Sequence, residues 1–473
     1  MTRPFPNCFT SLFALLLCAL PCAAQPGIPK KIDQYVNAEM HKQKIPGISL
    51  AVVRNGRVVL LRSYGLANLE HRVSVKPDTV FQSGSIAKQF TAAAIMILVE
   101  EGKLSLDDKI IKFFPDAPAT WKDITVRHLL THTSGMGDYP TEISVRRDYT
   151  EDEYFEFFKQ APLAFAPGAR WDYSNVGYVT LGILIRKITG KFYGDFLQER
   201  IFQPLGMVTA RVISEADIVP NRAAGYRLVD GALKNQEWVS PSTNTTADGS
   251  LYFTIQDLAK WDAALYTDKP LKQSSLAQIW TAATLNDGKR KGYGFGWHTD
   301  VIHKRRTVFH GGAWQGFKSF IVRFPEDKLT IIFFANLWDT REFKLARGLA
   351  AIFYPEFALP RIESIEDRDG PVTLLVRRVL LQLAGGSAKP EAFTPELQQE
   401  LFPHRAEQIG EVLQAFSHPV AIIHTSELIE RRDEGNLRVY RYLLTDLGQT
   451  LSCTVKLARD DRIASLELLE EVA

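Results

Sequence analysis

Apolar residues Phe90, Ala93, Ala94, Met96, Ile97 and Leu98 recur at three- and four-residue intervals, which is the spacing of one helix face. The run stops at Glu100-Glu101-Gly102, with Gly102 placed to take the turn that closes a helix. The predicted helix therefore opens beside Ser85, and Lys88 lies one turn further along over the same face. Upstream, residues 32–40 form an amphipathic helical pattern ending before Pro46-Gly47. Residues 48–53 and 58–63 then read as two strands joined by Asn55-Gly56, a strong short hairpin signal.

From Ser85 to about Pro204 the pattern is mostly helical, with segments at 124–132, 151–159, 176–189 and 193–202. Thr133-Ser134-Gly135 closes the first of these and Gly190 caps the third. Strand signals return at 251–253, followed by a helix at 255–265. Strands are expected again at 308–310, 317–323 and 329–335, and a helix at 343–353. The predicted layout is an antiparallel sheet built from both ends of this stretch, flanked by helices, with an all-helical subdomain inserted. A cleft between the two parts is the expected ligand site. Residues 359–370 read as a charged linker. Beyond it lie helical patterns at 372–383 and 395–416 and strand patterns at 421–424, 437–445, 451–457 and 463–469. The expected domains are thus a leader at 1–24, a main domain at 25–358, the linker at 359–370 and a small α+β domain at 371–473. That last pattern is similar to cone-shaped ligand-binding folds. The fold class is mixed α/β (α+β).

The 473 residues, 45% of them hydrophobic, suffice for a large core and a second domain. A net charge of +2 with no long basic run argues against nucleic acid as a partner. Residues 1–24 have the form of a secretory signal: Arg3, an apolar run at 9–20, and Cys22-Ala23-Ala24 before Gln25. A secreted or periplasmic location is expected. Lipidation at Cys18 or Cys22 fits less well, because Leu17 and Pro21 precede them where a small residue is wanted. No later stretch is long and apolar enough to be a transmembrane helix. Of 4 cysteines, three lie in the leader, so Cys453 has no internal disulfide partner and reads as a buried, inert thiol.

Ser85-x-x-Lys88 at a helix mouth has a chemical reading. The helix N-terminus favours a developing anion, and a desolvated lysine becomes a base near neutral pH. The tetrad alone also reads as an N-cap serine followed by a solvated lysine. Two further stretches change the balance: Trp171-Asp172-Tyr173-Ser174-Asn175 before a helix, and Phe309-His310-Gly311-Gly312-Ala313 at a strand end. Tyr35-Val36-Asn37 repeats the Tyr-x-Asn pattern but lies on the first helix and reads as structural. His128 and His132 stand at i, i+4 without a third ligand in view and also read as structural.

The ordered set Ser85-x-x-Lys88, Tyr173-x-Asn175 and His310-Gly311-Gly312 resembles the serine β-lactamase and penicillin-binding protein superfamily. It is most similar to the branch of class C β-lactamases, D-stereospecific peptidases and related esterases. The phrases at 124–135, 248–251 and 257–261 are similar to that branch too, and the resemblance spans about Lys30 to Tyr354. It implies that Ser85 is acylated, that Lys88 and Tyr173 share the base work, and that Asn175 donates to Lys88 or substrate. The N–H groups of Ser85 and Ala313 would form an oxyanion hole, and Gly311 and Gly312 would let the strand edge approach the substrate. No metal or organic cofactor is implied. β-Lactamases of this kind usually carry Lys-Thr-Gly where this chain has His310-Gly311-Gly312, so weaker positive field and weaker β-lactam turnover are expected. The expected function is a secreted serine hydrolase acting on D-amino-acid peptides and amides or on small esters. The alternatives are β-lactamase or D-Ala-D-Ala carboxypeptidase activity, and a non-catalytic scaffold. The expected partner is a small-molecule or peptide substrate. Substrate identity and oligomeric state do not follow from the sequence.

Overall fold

The computed structural model describes residues 27–416 and 418–471; the expected leader at 1–24 lies outside them. Its centre is a seven-stranded antiparallel sheet. The strand order is His298–Ile302, Arg305–Trp314, Phe317–Phe324, Leu329–Ala335, Gly47–Arg54, Arg57–Asn68 and Val73–Ser74. The two ends of the main domain meet where Gly47–Arg54 pairs with Leu329–Ala335, in register from Ile48 opposite Ala335 to Arg54 opposite Leu329.

Phe317–Phe324 and Leu329–Ala335 are buried at every position, as strands covered on both faces must be. Their side chains divide with a period of two. Ile321, Ile332 and Phe334 join a core with Phe90, Ile97 and Trp261. Phe320, Val322 and Phe333 join another with Ile32, Val36 and Leu345. One face thus packs on the inserted helical block. The other packs on helices Ile28–Gln43 and Glu342–Phe353, which together form the outer layer. Helix Lys88–Glu100 is buried from Lys88 to Leu98. It carries no polar face, which is why its apolar run is almost continuous.

Beyond the main domain, strands Glu427–Glu434, Leu437–Thr445, Thr450–Leu457 and Ile463–Glu470 form a four-stranded antiparallel sheet. Helices Gly370–Ala384, Pro395–Leu401 and His404–Gln414 cover it. Residues 421–424, expected as a strand, instead belong to helix Pro419–His424. Four apolar residues fit either structure. The helix is settled by Pro419 in its first turn and by the His418 ring, whose Nδ1 accepts from Ala421 N at 3.3 Å. The expected helix at 395–416 breaks at Phe402-Pro403 into two. Strands Glu427–Glu434 and His298–Ile302 escaped the pattern because they are largely polar edge strands.

The C-terminal sheet shares its apolar core with the outer helices of the main domain. Leu345, Leu349, Phe357, Val376, Tyr440 and Val455 all belong to one buried cluster. Polar ties cross the same boundary. Arg347 donates from Nη1 to Thr450 Oγ1 at 3.0 Å and from Nε to the Phe357 carbonyl at 3.0 Å. The buried Glu427 carboxylate takes Arg341 at 2.9 Å and Lys344 at 2.8 Å. Cys453 is buried in this core as expected, and burial pushes its thiol up to about 12.

Candidate active site

Ser85 sits in a single 3-10 turn, Gly84–Ala87, that runs directly into helix Lys88–Glu100. The turn is pressed against the end of strand Arg305–Trp314. Gly84 adopts φ +53, and a Cβ there would fall 2.4 Å from Ala313 N. A Cβ on Gly312 would fall 2.1 Å from the Ser83 carbonyl and 3.1 Å from Ser85 N. Both positions therefore require glycine for close approach. Ser319 Oγ donates to the Ser83 carbonyl at 2.6 Å and fastens the neighbouring strand to the same turn. As a result the turn that carries Ser85 and the strand end that carries Ala313 lie against one another, the close approach that an oxyanion hole built from their two amides requires.

Lys88 is fully buried, and its ammonium is held by three acceptors. These are Ser85 Oγ at 3.1 Å, Asn175 Oδ1 at 2.7 Å and the Asp248 carbonyl at 2.6 Å, so Asn175 accepts from the lysine where donation to it was expected. Burial lowers its pKa from 10.5 to about 8, against the opposing pull of the Asp248 and Asp138 carboxylates. Asn175 is fixed as the first residue of helix Asn175–Thr189. Ser174 caps that helix by accepting from Gly177 N at 3.1 Å. Asn175 also donates from Nδ2 to Asp138 Oδ2 at 3.3 Å, which completes a Lys88–Asn175–Asp138 chain.

Tyr173 arrives on the same loop. Its ring lies under the Lys88 ammonium, with Nζ 4.8 Å from the ring centroid. Burial raises the phenol well above its ordinary pKa, and the nearby Ser85 hydroxyl opposes this. The phenol is thus held protonated. The lysine beside it does not overcome this, because burial penalises both charges together. Its hydroxyl has no well-formed hydrogen bond among the described residues.

The sequence-predicted residues do not all share the cleft. A cavity of about 650 Å³ is lined by Ser85, Tyr173, Asn175, Gly311, Gly312 and Ala313, with Lys88 buried beneath. His310 is a correction: expected to face the substrate, it lies one layer behind. It is fully buried, and its pKa is pushed down to about 3, first by burial. Its Nδ1 is 2.5 Å from the Gly311 carbonyl, which can only accept, so Nδ1 carries the proton. Nε2 then accepts from the Tyr293 hydroxyl at 3.0 Å. A neutral ring with both nitrogens engaged supports the wall and supplies no charge to the cleft. Tyr35 and Asn37 lie on the first helix, away from this site, and the Tyr35 hydroxyl donates to the Lys344 carbonyl.

Several contributors were not expected at the site from the sequence. His132 packs its ring 4.3 Å from that of Tyr173, and its Nδ1 accepts from Ser174 N at 3.1 Å. It does so from the left-handed region, at φ +59, a conformation that holds only where its surroundings fix it. His128 instead closes a capping box with Thr125. Tyr293 and His298 complete the aromatic packing around His310. His418, from the C-terminal domain, lies 4.9 Å from the Tyr173 ring. The periodicity around these residues marks only burial, which is why they carried no signal in the sequence. Among the described residues no group of histidine, cysteine, aspartate and glutamate is arranged to hold a metal ion.

A family model described as Beta-lactamase matches residues 32–353. "Penicillin-binding protein 4*" of Bacillus subtilis (strain 168) is 30% identical over 326 residues, covering 64% of this chain and 71% of that protein. Among solved structures, D-amino acid amidase from Ochrobactrum anthropi SV3, complexed with L-phenylalanine amide, matches with a TM-score of 0.61 at 26% identity. That match covers 70% of this chain and 99% of the amidase. An octameric penicillin-binding protein homologue from Pyrococcus abyssi matches 94% of this chain and 98% of its own, with a TM-score of 0.62. At 23% identity that likeness is one of fold.

Proposed function

The chain belongs to the beta-lactamase family, and from that premise we propose that it is a serine hydrolase working through an acyl-enzyme on Ser85. We infer that its substrates are D-amino-acid peptides and amides or small carboxylic esters. The observation that carries the reading is the buried Lys88 amine, 3.1 Å from Ser85 Oγ and with a pKa near neutrality. A lysine so placed is a base for the serine proton.

In the proposed sequence, the unprotonated Lys88 amine takes the hydrogen of Ser85 as Oγ bonds to the scissile carbonyl carbon. The carbonyl oxygen becomes an anion between the amides of Ser85 and Ala313. The tetrahedral adduct collapses, the bond to the leaving group breaks, and that group leaves with a proton relayed from the Lys88 ammonium through the Tyr173 hydroxyl. Water then attacks the ester carbonyl, its proton passing to the same pair; the bond from carbon to Oγ breaks, the pair returns that proton to Oγ, and the carboxylic acid leaves Ser85 as a free hydroxyl. Asn175 holds the amine in line throughout. The amidase likeness supports the D-amino-acid branch of the proposal. The neutral, buried His310 weighs against β-lactams, since it offers no cation to a substrate carboxylate at that place.

The test is covalent. An active-serine fluorophosphonate should label the mature protein, and Ser85→Ala should abolish both labelling and turnover. A panel of ester, D-amino-acid amide, D-Ala-D-Ala peptide and cephalosporin then separates the substrate classes. Fast release of a penicillin adduct from Ser85 would favour the β-lactamase alternative. Labelling that survives Ser85→Ala leaves the acyl-enzyme without support.

A further inference from the structure

The cleft has two walls, and only one belongs to the main domain. The other is lined by Arg377, His418, Val420, Ala421, His424 and Thr425, all beyond residue 370. His418 reaches furthest, with its ring against Tyr173. Ser85 therefore opens onto a pocket that the C-terminal domain completes.

The pocket is lined by charges of both signs. On the catalytic side stand Asp138 and Asp172. The lining also holds Lys42, Lys44, Lys318, Arg341 and Arg377, with Asp339 and Glu342. Two of these cations are already neutralised. Lys318 pairs with the buried Glu342 at 2.8 Å, and Arg341 pairs with Glu427. Lys42, Lys44 and Arg377 have no carboxylate within ion-pair distance among the described residues. Arg377 is half-buried and held still: Nε donates to Ser426 Oγ at 3.2 Å and Nη2 to the Ser426 carbonyl at 2.9 Å. A fixed guanidinium, partly desolvated, facing a cavity and with no carboxylate in direct contact, is suited to receive one. Burial lowers the pKa of both groups, against the opposing pull of Asp367 and Asp339 at Arg377 and of Glu427 and Glu39 at Lys42.

We propose that the C-terminal domain is the substrate-selecting wall of this active site, with Arg377 binding an anionic group, a carboxylate, on a small substrate at a distance from the scissile bond. This inference rests on the hydrolase reading above and names the substrate class for that site.

The experiment uses the full chain and a matched series of aryl esters. Each pair is identical except for a terminal carboxylate on one member and a carboxamide on the other, at several distances from the scissile carbonyl. At the best spacing the carboxylate member should be preferred in kcat/KM by about tenfold to a hundredfold, the range of a hydrogen bond to a charged group. Arg377→Gln should bring that ratio close to unity, through KM rather than kcat, and Arg377→Lys should keep part of it. Where Arg377→Gln proves unstable, salt supplies the second measurement: the wild-type preference should shrink as ionic strength rises. A wild-type enzyme with no preference at any spacing, or a ratio unmoved by both Arg377→Gln and salt, overturns the inference and leaves the hydrolase intact. If neither ester is turned over and Ser85 is not labelled, the hydrolase reading goes, and the inference goes with it.

Discussion

Lys88 offers the sharpest quantitative prediction. An ordinary lysine at pH 7 is unprotonated in about one molecule in three thousand. With its pKa lowered to about 8, roughly a tenth of Lys88 is free amine at that pH. Burial therefore raises the working fraction of base by about 300-fold, equivalent to about 3 kcal/mol at 1.36 kcal/mol per pKa unit. The sign for stability is opposite. A lysine whose folded pKa lies below its unfolded value penalises folding wherever the unfolded chain is protonated. That penalty is full below about 8 and disappears as pH rises from 8 to 10.5. For catalysis, kcat/KM reports the free enzyme. It should climb tenfold per pH unit on the acid side and level off near pH 8. The burial-raised phenol of Tyr173 adds no limb in this range, since it stays protonated. The assay is hydrolysis of a neutral ester between pH 5.5 and 9. Lys88→Met should lower kcat/KM by about 10²–10⁴-fold and abolish the limb. An inflection near 6.5, or none below 10, would refute the assignment of Lys88 as the base.

Other predictions concern its neighbours. Asp138→Asn removes a carboxylate that raises the Lys88 pKa, so the acid limb should move to lower pH in the same assay. Tyr173→Phe keeps the ring against His132 and His418 but deletes the hydroxyl. It should lower kcat with little change in KM, as steady-state kinetics would show. Gly312→Ala puts a methyl 2.1 Å from the Ser83 carbonyl and should displace the Ala313 amide. A loss of about 10²-fold or more in kcat is expected, with Lys88 titration unchanged in the residual activity. Asp262→Ala strips the partner from Arg323, a pair buried at 0% and 1% side-chain exposure and 2.6 Å apart. Denaturant unfolding should show a loss of about 3–5 kcal/mol.

What could be read in advance was whatever periodicity or a local motif encodes. The buried helix after Ser85, the hairpin at Asn55-Gly56 and the strands at 317–323 and 329–335 are short-range statements about which side chains face a core, and they appear in the structure. The partners of Lys88 were legible as Ser85 and Asn175 because each stands in a short motif at an element boundary. The Asp248 carbonyl was not, since a backbone acceptor has no signature in residue types. His310 misled because a strand gives its side chains alternate faces, and whether one of them meets the cleft depends on the neighbour that receives it, here Tyr293. His132 and His418 were invisible as contributors, since their place beside Tyr173 depends on how separate parts of the chain pack. The helix at Pro419–His424 was misread for the same reason as its length: six residues are too few for either periodicity to declare itself.

The apolar cluster running from Leu345 through Phe357 into Val376 and Val455 makes the tail non-portable. Severed at the linker, each half would carry a large greasy scar. Without the tail, the outer surface of helix Glu342–Phe353 would need polar residues where it now carries apolar ones. A designer wishing to swap the selecting wall would have to move that helix surface along with it.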